Sequence, residues 1–192
     1  MFYRFVCAMC RLFFRLFFRP TFKGLENVPV NGPLIICSNH ISMLDMFLFG
    51  PMLPRRIYFM AKEELFKIPL LGYALKELGA YPVKRGHGDL SAAKTTLKLL
   101  HEGKAVGIFP EGTRRKKIEG RLKPKSGAIL FALESGTPIL PVCVSGNYRI
   151  FSRIKVVYGQ PFNPISGDGT KASKTEMQDM ADSLMGKIYS LI

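Results

Sequence analysis

From Pro33 onward, short apolar runs alternate with segments of helical periodicity, and this alternation restricts the fold more than any other feature of the chain. Pro33-Leu34-Ile35-Ile36-Cys37 reads as a buried strand, followed by a short helix from Ser42 to Phe49. Arg56 to Ala61, Tyr81 to Lys84, Ala105 to Phe109, Ile139 to Val144 and Ile154 to Tyr158 read as further strands. The intervening stretches are helical: Glu63 to Leu78, with an irregularity at Pro69, Asp89 to Glu102, capped by Asp89 or Ser91, and Ser126 to Glu134. Ser173 to Ile192 closes the chain as a helix. Gly79, Gly103 and Gly136 follow helical segments, where a left-handed residue ends a helix at least cost. Strands alternating with helices predict an α/β layered domain. At 192 residues, 47% of them apolar, the chain suits one domain with a sizeable core.

The N-terminus departs from this pattern. Met1 to Arg19 is almost wholly apolar and aromatic, interrupted only by Arg4, Arg11, Arg15 and Arg19, which share one stripe of a helix. Spanning a bilayer would carry mid-segment arginines into hydrocarbon, at about 2.5–3.5 kcal/mol each near the centre. A cleavable leader would need an uncharged apolar stretch and a small-residue cleavage site, and neither is present. An in-plane helix with snorkelling arginines fits the pattern, and the alternative is an amphipathic helix packed on the domain core. The apolar arc is too wide for a single packing face, which favours the membrane reading. Residues 1–19 are therefore expected to form an amphipathic membrane-associating helix ended by Pro20 and Gly24, ahead of an α/β domain over 20–192.

The chain carries 28 Lys and Arg against 14 Asp and Glu, a net charge of +14. Such an excess weakens the compact state by self-repulsion and points to an anionic partner. Nucleic acid fits poorly, because the aromatic residues cluster in the N-terminal segment and not beside a basic groove. Anionic membrane lipid or a phosphorylated small molecule fits better. Cys7, Cys10, Cys37 and Cys143 form neither a disulfide framework nor a zinc pattern, so no metal is expected.

Two segments combine reactive groups at strand ends, where α/β sheets bind ligands. His40 follows the strand ending at Cys37, in Ser38-Asn39-His40-Ile41-Ser42-Met43-Leu44-Asp45. If His40 lies in the turn and Asp45 in the first helical turn, the carboxylate can fix the imidazole tautomer and leave the other nitrogen as a general base. Ser42-x-x-Asp45 is equally a capping-box pattern, in which Asp45 only starts a helix. The second segment is Phe109-Pro110-Glu111-Gly112-Thr113-Arg114. Gly112 allows backbone N–H groups close to an oxyanion, Thr113 offers a hydroxyl, and Arg114 a fork matched to phosphate. Residues 114–125 hold seven basic residues and one acid, a run that can face anionic headgroups or simply be solvated. Lys84-Arg85 and Lys62 also leave strand ends. No P-loop, dinucleotide fingerprint or serine elbow occurs.

Taken in order, these segments resemble the lysophospholipid acyltransferase family, in particular bacterial-type 1-acylglycerol-3-phosphate acyltransferases. The H-x4-D motif is His40 to Asp45; the other blocks are Gly79 to Arg85, Glu111-Gly112-Thr113-Arg114 and Thr137 to Val142, with Lys62 in Met60-Ala61-Lys62-Glu63-Glu64-Leu65. The resemblance covers roughly residues 22 to 165. It implies a mixed, mostly parallel sheet flanked by helices, and transfer of an acyl group from a thioester to the hydroxyl of 1-acylglycerol-3-phosphate, giving phosphatidic acid. It implies His40 and Asp45 as catalytic residues, and Glu111, Gly112, Thr113, Arg114, Arg85 and Lys62 on the substrate side, with Glu111 orienting Arg114 or its loop. No cofactor is implied beyond acyl-CoA or acyl carrier protein as co-substrate. The expected location is the cytoplasmic face of the cell membrane, peripheral or monotopic. Alternatives are another acceptor, such as glycerol-3-phosphate or a different lysolipid, a lipid hydrolase with water as nucleophile, or a non-catalytic basic membrane-binding module.

Overall fold

The computed structural model describes residues 1–84, 89–114, 122–165 and 172–192. After helix α1 (Phe2–Phe17), seven strands form one sheet: β1 (Arg19–Lys23), β2 (Leu34–Ser38), β3 (Ile57–Lys62), β4 (Tyr81–Val83), β5 (Ala105–Ile108), β6 (Ile139–Gly146) and β7 (Arg153–Tyr158). The helices between and after them are α2 (Asp45–Phe49), α3 (Pro69–Glu77), α4 (Leu90–His101), α5 (Gly127–Ser135) and α6 (Lys174–Tyr189). The strand order is β1-β7-β6-β2-β5-β3-β4, and every neighbouring pair is parallel except β6–β7. This is the mixed, mostly parallel sheet flanked by helices that was expected.

The central strand β2 is buried along its whole length, which is why it reads as an unbroken apolar run. Its alternation divides the core. Leu34 and Ile36 join Phe14, Leu48, Phe49 and Ile57 on one face of the sheet, the face covered by α1 and α2. Ile35 and Cys37 join Leu100, Ile129, Phe131, Leu184 and Ile188 on the other, covered by α4, α5 and α6. Asp89 caps α4 by accepting from the Ser91 and Ala92 amides, and Ser173 with Glu176 forms a reciprocal capping box on α6.

Three boundaries differ from expectation, each for a physical reason. The N-terminal helix ends at Phe17, and Arg19 and Pro20 belong to β1. Pro20 reads as a helix stop, but on an outermost strand its missing N–H is tolerated. Helix α2 starts at Asp45 and not at Ser42, because the Asp45 carboxylate turns back to the Ile41 and Ser42 amides. The segment after β3 divides at Pro69, with a 3-10 turn over Glu63–Lys67 ahead of α3.

Helix α1 has three faces. One packs on the domain through buried Cys7 and Phe14 and half-buried Tyr3, Val6 and Cys10, continued by buried Phe18. Near its middle the Arg11 guanidinium donates two hydrogen bonds to the Pro51 carbonyl, at 2.6 and 2.9 Å. Near its start the Arg56 guanidinium lies 5.1 Å from the Tyr3 ring centroid. A second face leaves Phe2, Phe5, Met9, Leu12, Phe13, Leu16 and Phe17 exposed. The third carries Arg4, Arg11 and Arg15; Arg19, expected on the same stripe, sits in β1 instead. The helix therefore packs on the core with one apolar face and leaves a second apolar face exposed. No helix among the described residues is long and apolar enough to cross a membrane.

Candidate active site

The site is built where β2 and β5 end side by side, Cys37 opposite Ile108. Two loops leave this edge, one carrying His40 and the other Glu111. Asn39 fastens the first loop to β6: its side-chain amide donates to the Val144 carbonyl at 2.8 Å and its oxygen accepts from the Val144 amide at 2.8 Å. This bidentate bond occupies a backbone position much as a strand residue would, and it sets the direction in which the chain enters His40.

His40 Nδ1 lies 2.8 Å from Asp45 Oδ2. The same oxygen accepts from the backbone amides of Ile41 and Ser42, at 2.8 and 2.9 Å. Asp45 Oδ1 accepts from the Tyr148 hydroxyl at 2.6 Å. His40 is 7% exposed and Asp45 fully buried. A buried charge needs such a donor set to offset its lost hydration. The carboxylate contact that the catalytic reading requires is present, and so is one half of the capping pattern. Asp45 bonds the Ser42 amide three residues back, half of a capping box, while Ser42 Oγ accepts from the Leu44 amide and not from Asp45. In the neutral tautomer that donates from Nδ1 to the carboxylate, Nε2 is the acceptor nitrogen.

Glu111 is 4% exposed, and both its oxygens are committed. Oε2 accepts from the His40 backbone amide at 3.0 Å and Oε1 from the Tyr189 hydroxyl at 2.7 Å. Glu111 was expected to orient Arg114 or its loop; its described partners are the His40 backbone amide and the Tyr189 hydroxyl at the end of α6. The His40 ring stacks on Phe109 with centroids 4.0 Å apart and planes 17° from parallel, and Phe109 in turn stacks on Phe59. Gly107 makes room for that stack, since a Cβ there would lie 2.1 Å from the Phe59 ring. His40 is therefore held through its backbone amide, its Nδ1 and its ring face.

A cavity of about 410 Å³ opens beside His40. Met46, Met60, Ile108, Phe109, Leu130 and Phe131 give it apolar walls, and Lys84, Asp89 and Lys125 supply charge. That volume and mixture suit a small amphiphile with an anionic group. Gly112 also lines it, with φ +65. Its own amide donates to the Phe109 carbonyl at 2.9 Å and closes a turn. The absent side chain gives room to the Lys125 stem, whose Cε would lie 3.0 Å from a Cβ at this position.

Thr113 and Arg114 follow Gly112 and are exposed. Lys62 is not brought to the cavity wall; its ammonium pairs with Glu64 Oε1 at 3.1 Å, both side chains largely exposed. Arg85, and residues 115–121 of the basic run, lie outside the described residues. Among the described residues no cluster of three or more His, Cys, Asp or Glu side chains could hold a metal ion.

Tyr148, Asn39 as a stitch, Tyr189 and Lys125 were not legible as site residues. Tyr148 is 103 positions from its partner, and no local pattern marks it. Burial, then the Asp45 carboxylate, push its phenol well above the ordinary tyrosine range, so it stays a donor at physiological pH.

Comparison with known proteins gives concordant results. The family model described as Acyltransferase matches residues 19–145. The Bacillus subtilis protein named 1-acyl-sn-glycerol-3-phosphate acyltransferase is 33% identical over 172 residues, which is 86% of this chain and 84% of that one. The chloroplastic enzyme of the same name from Brassica napus is 36% identical over 138 residues, 70% of this chain but 39% of that one. The crystal structure of the 1-acyl-sn-glycerophosphate acyltransferase PlsC from Thermotoga maritima superposes with a TM-score of 0.74 at 24% identity, covering 98% of this chain and 79% of that chain, a likeness of fold.

Proposed function

Since the chain belongs to the acyltransferase family, we propose that it transfers a fatty acyl group from an acyl thioester to the free hydroxyl of 1-acylglycerol-3-phosphate, giving phosphatidic acid. The observation that carries this reading is the buried His40–Asp45 pair, 2.8 Å apart, with His40 on the wall of a largely apolar cavity that also has cationic side chains. In the proposed mechanism, His40 Nε2 takes the proton of the acceptor hydroxyl as its oxygen attacks the thioester carbonyl. Asp45 stabilises the imidazolium that forms. Attack forms the C–O bond and the tetrahedral intermediate; its collapse restores the carbonyl and breaks the C–S bond, and the proton passes from His40 to the departing thiolate. A thiol is a good leaving group, so no acyl-enzyme is required. Glu111 is a positioning residue that keeps the His40 backbone in register.

Arg114, with Thr113 and Gly112, is assigned to the acceptor phosphate, assisted by Arg85 and Lys62. The placement of Lys84 and Lys125 on the cavity wall supports adding them to this set. The donor is acyl-CoA or acyl carrier protein. Helix α1 lies in the plane of an anionic membrane at the cytoplasmic face, its exposed phenylalanines below the headgroups. Its exposed apolar face supports this peripheral or monotopic placement.

The test is to incubate the purified protein with lysophosphatidate and each donor in turn and to identify products by mass. Phosphatidate carrying the donor's acyl chain is expected, and its disappearance in His40→Ala at unchanged melting temperature. Product at undiminished rate from His40→Ala, or free fatty acid in place of phosphatidate, would refute the mechanism.

A further inference from the structure

The turn between β6 and β7 exposes two large apolar side chains in succession, Ile150 at 65% and Phe151 at 63%. Phe151 has φ +63, the only non-glycine residue in the left-handed region among the described residues. A bulky residue is disfavoured there, and glycine or asparagine would adopt it more easily. The strained conformation is nevertheless firmly held. The Phe151 amide donates to the Phe17 carbonyl at the end of α1 (2.7 Å), and the Arg19 amide donates to the Ser152 carbonyl (3.0 Å). Within the turn, the Ser152 amide and hydroxyl both donate to the Arg149 carbonyl, at 3.0 and 2.6 Å. A rigid turn thus presents an apolar pair beside exposed Phe13 and Phe17 of α1. Backbone strain kept at an exposed apolar tip marks a functional position, because core packing gives no reason for it.

The surroundings are cationic. Arg149 belongs to the turn itself, Arg19 and Arg153 are register partners at the start of β1 and β7, and Arg15 lies in the last turn of α1; all four are exposed. An exposed apolar tip with exposed arginines on the turn and on the adjoining strand and helix ends matches a bilayer with anionic headgroups, where apolar side chains enter the acyl layer and arginines meet phosphates. The same turn carries Tyr148, whose ring packs edge-on against Phe18 (centroids 5.9 Å apart) and whose hydroxyl holds Asp45.

We propose that the β6–β7 turn is a second membrane-inserting element, in which Ile150 and Phe151 enter the acyl layer of an anionic bilayer next to α1. Tyr148, on the same turn, ties this anchor to the His40–Asp45 pair. This rests on the proposed in-plane docking of α1. It makes the docking two-pointed, which fixes the tilt of the domain and the height of the site above the lipid.

The chain has no Trp, so a single introduced Trp is an unambiguous reporter. Phe151→Trp, and separately Leu12→Trp on the exposed face of α1, are bound to vesicles of phosphatidylglycerol and phosphatidylcholine containing lipids brominated along the acyl chain. Quenching of both reporters is expected, with a blue shift of the emission. Quenching of Leu12→Trp but not of Phe151→Trp overturns the second anchor and leaves the α1 reading intact. Quenching of neither overturns both. A blue shift of Phe151→Trp that depends on protein concentration without lipid assigns the tip to a second copy of the chain and also overturns the proposal. In parallel, Ile150→Ser with Phe151→Gly should weaken vesicle binding roughly tenfold or more. Glycine relieves the backbone strain, so this variant should melt no lower than the parent and keep its rate on dispersed short-chain substrate. Unchanged vesicle affinity would overturn the proposal.

Discussion

Asp45→Asn separates the chemical role of the buried carboxylate from its structural one. The parent side chain accepts from His40 Nδ1, the Ile41 and Ser42 amides and the Tyr148 hydroxyl. An amide has one oxygen. Placed where Oδ2 lies, it keeps the three N–H donors, and its NH₂ faces Tyr148, whose hydroxyl can rotate to accept. The turn therefore survives with every partner met, but bonds to a charged acceptor become bonds to a neutral one. Bonds to charged groups are worth about 1.5–3 kcal/mol and neutral ones about 0.5–1.5 kcal/mol, a difference of about 1 kcal/mol for each of the four bonds, so the summed loss is about 4 kcal/mol before the relief of no longer burying a charge. For a chain of this size each kcal/mol lowers the melting temperature by about 2–4 °C. The rate should fall far more. Without the carboxylate's charge the imidazolium is unstabilised, and general-base catalysis worth ~10²–10⁴-fold is at stake. The assay is initial rate with lysophosphatidate in mixed micelles, with KM and kcat separated, beside a melting curve on the same preparation. A kcat within about threefold of the parent, whatever the melting temperature, would refute the proposed role and leave Asp45 as a turn builder.

Further expectations follow from neighbouring contacts. Tyr148→Phe leaves Asp45 Oδ1 without its described donor; it should lower kcat about tenfold at little-changed KM, and a loss of about 1–3 kcal/mol of stability with unchanged kcat would make Tyr148 purely structural. Gly107→Ala places a methyl 2.1 Å from the Phe59 ring and should displace the Phe59–Phe109–His40 stack, costing about 1–3 kcal/mol and lowering activity; a variant with parental melting temperature and rate would show that the stack adjusts freely. Arg114→Lys keeps the charge and loses the fork, so it should raise KM for lysophosphatidate and narrow the preference over the dephosphorylated acceptor; equal activity of the parent on both acceptors would contradict the phosphate assignment. The Asp89 carboxyl is held below the usual range by the Lys84, Ala92 and Ser91 amides. Its folded value lies below its unfolded one, so its stabilisation is present above the unfolded value and lost as pH falls through the folded one. In an NMR titration the amide signals of those three residues should shift together with a midpoint below that of an ordinary aspartate; a midpoint at or above it would refute the assignment.

How much of this was legible in the sequence depends on how local each interaction is. Six of the seven strands were readable from the sequence, β2, β5 and β6 most plainly, because residues buried on both faces of a sheet leave little room for polar side chains. The exception, β1, is half-exposed and carries Pro20, and its pairing partner β7 lies more than 130 residues away. His40 and Asp45 were legible because five residues of spacing and a strand end suffice to bring them together. Glu111 was legible as a site residue, but its role was not. The amide it holds belongs to a loop 71 positions earlier, and only the parallel pairing of β2 and β5 makes the two meet.

Composition and spacing by themselves determined the α/β class, the cationic character that calls for an anionic partner, the amphipathic N-terminal helix and the histidine–carboxylate pair. These follow from periodicity, charge and short-range geometry, which any chain carries along its length. Tertiary structure alone decided that Tyr148 completes the shell around Asp45, that Glu111 grips the His40 backbone, that Lys84 and Lys125 line one cavity with His40, and that α1 packs on the core with one face while exposing another. Each of these rests on a contact between residues far apart in the chain. The sheet order brings such residues to one edge, and no local pattern of residue types records which distant partner a side chain will meet.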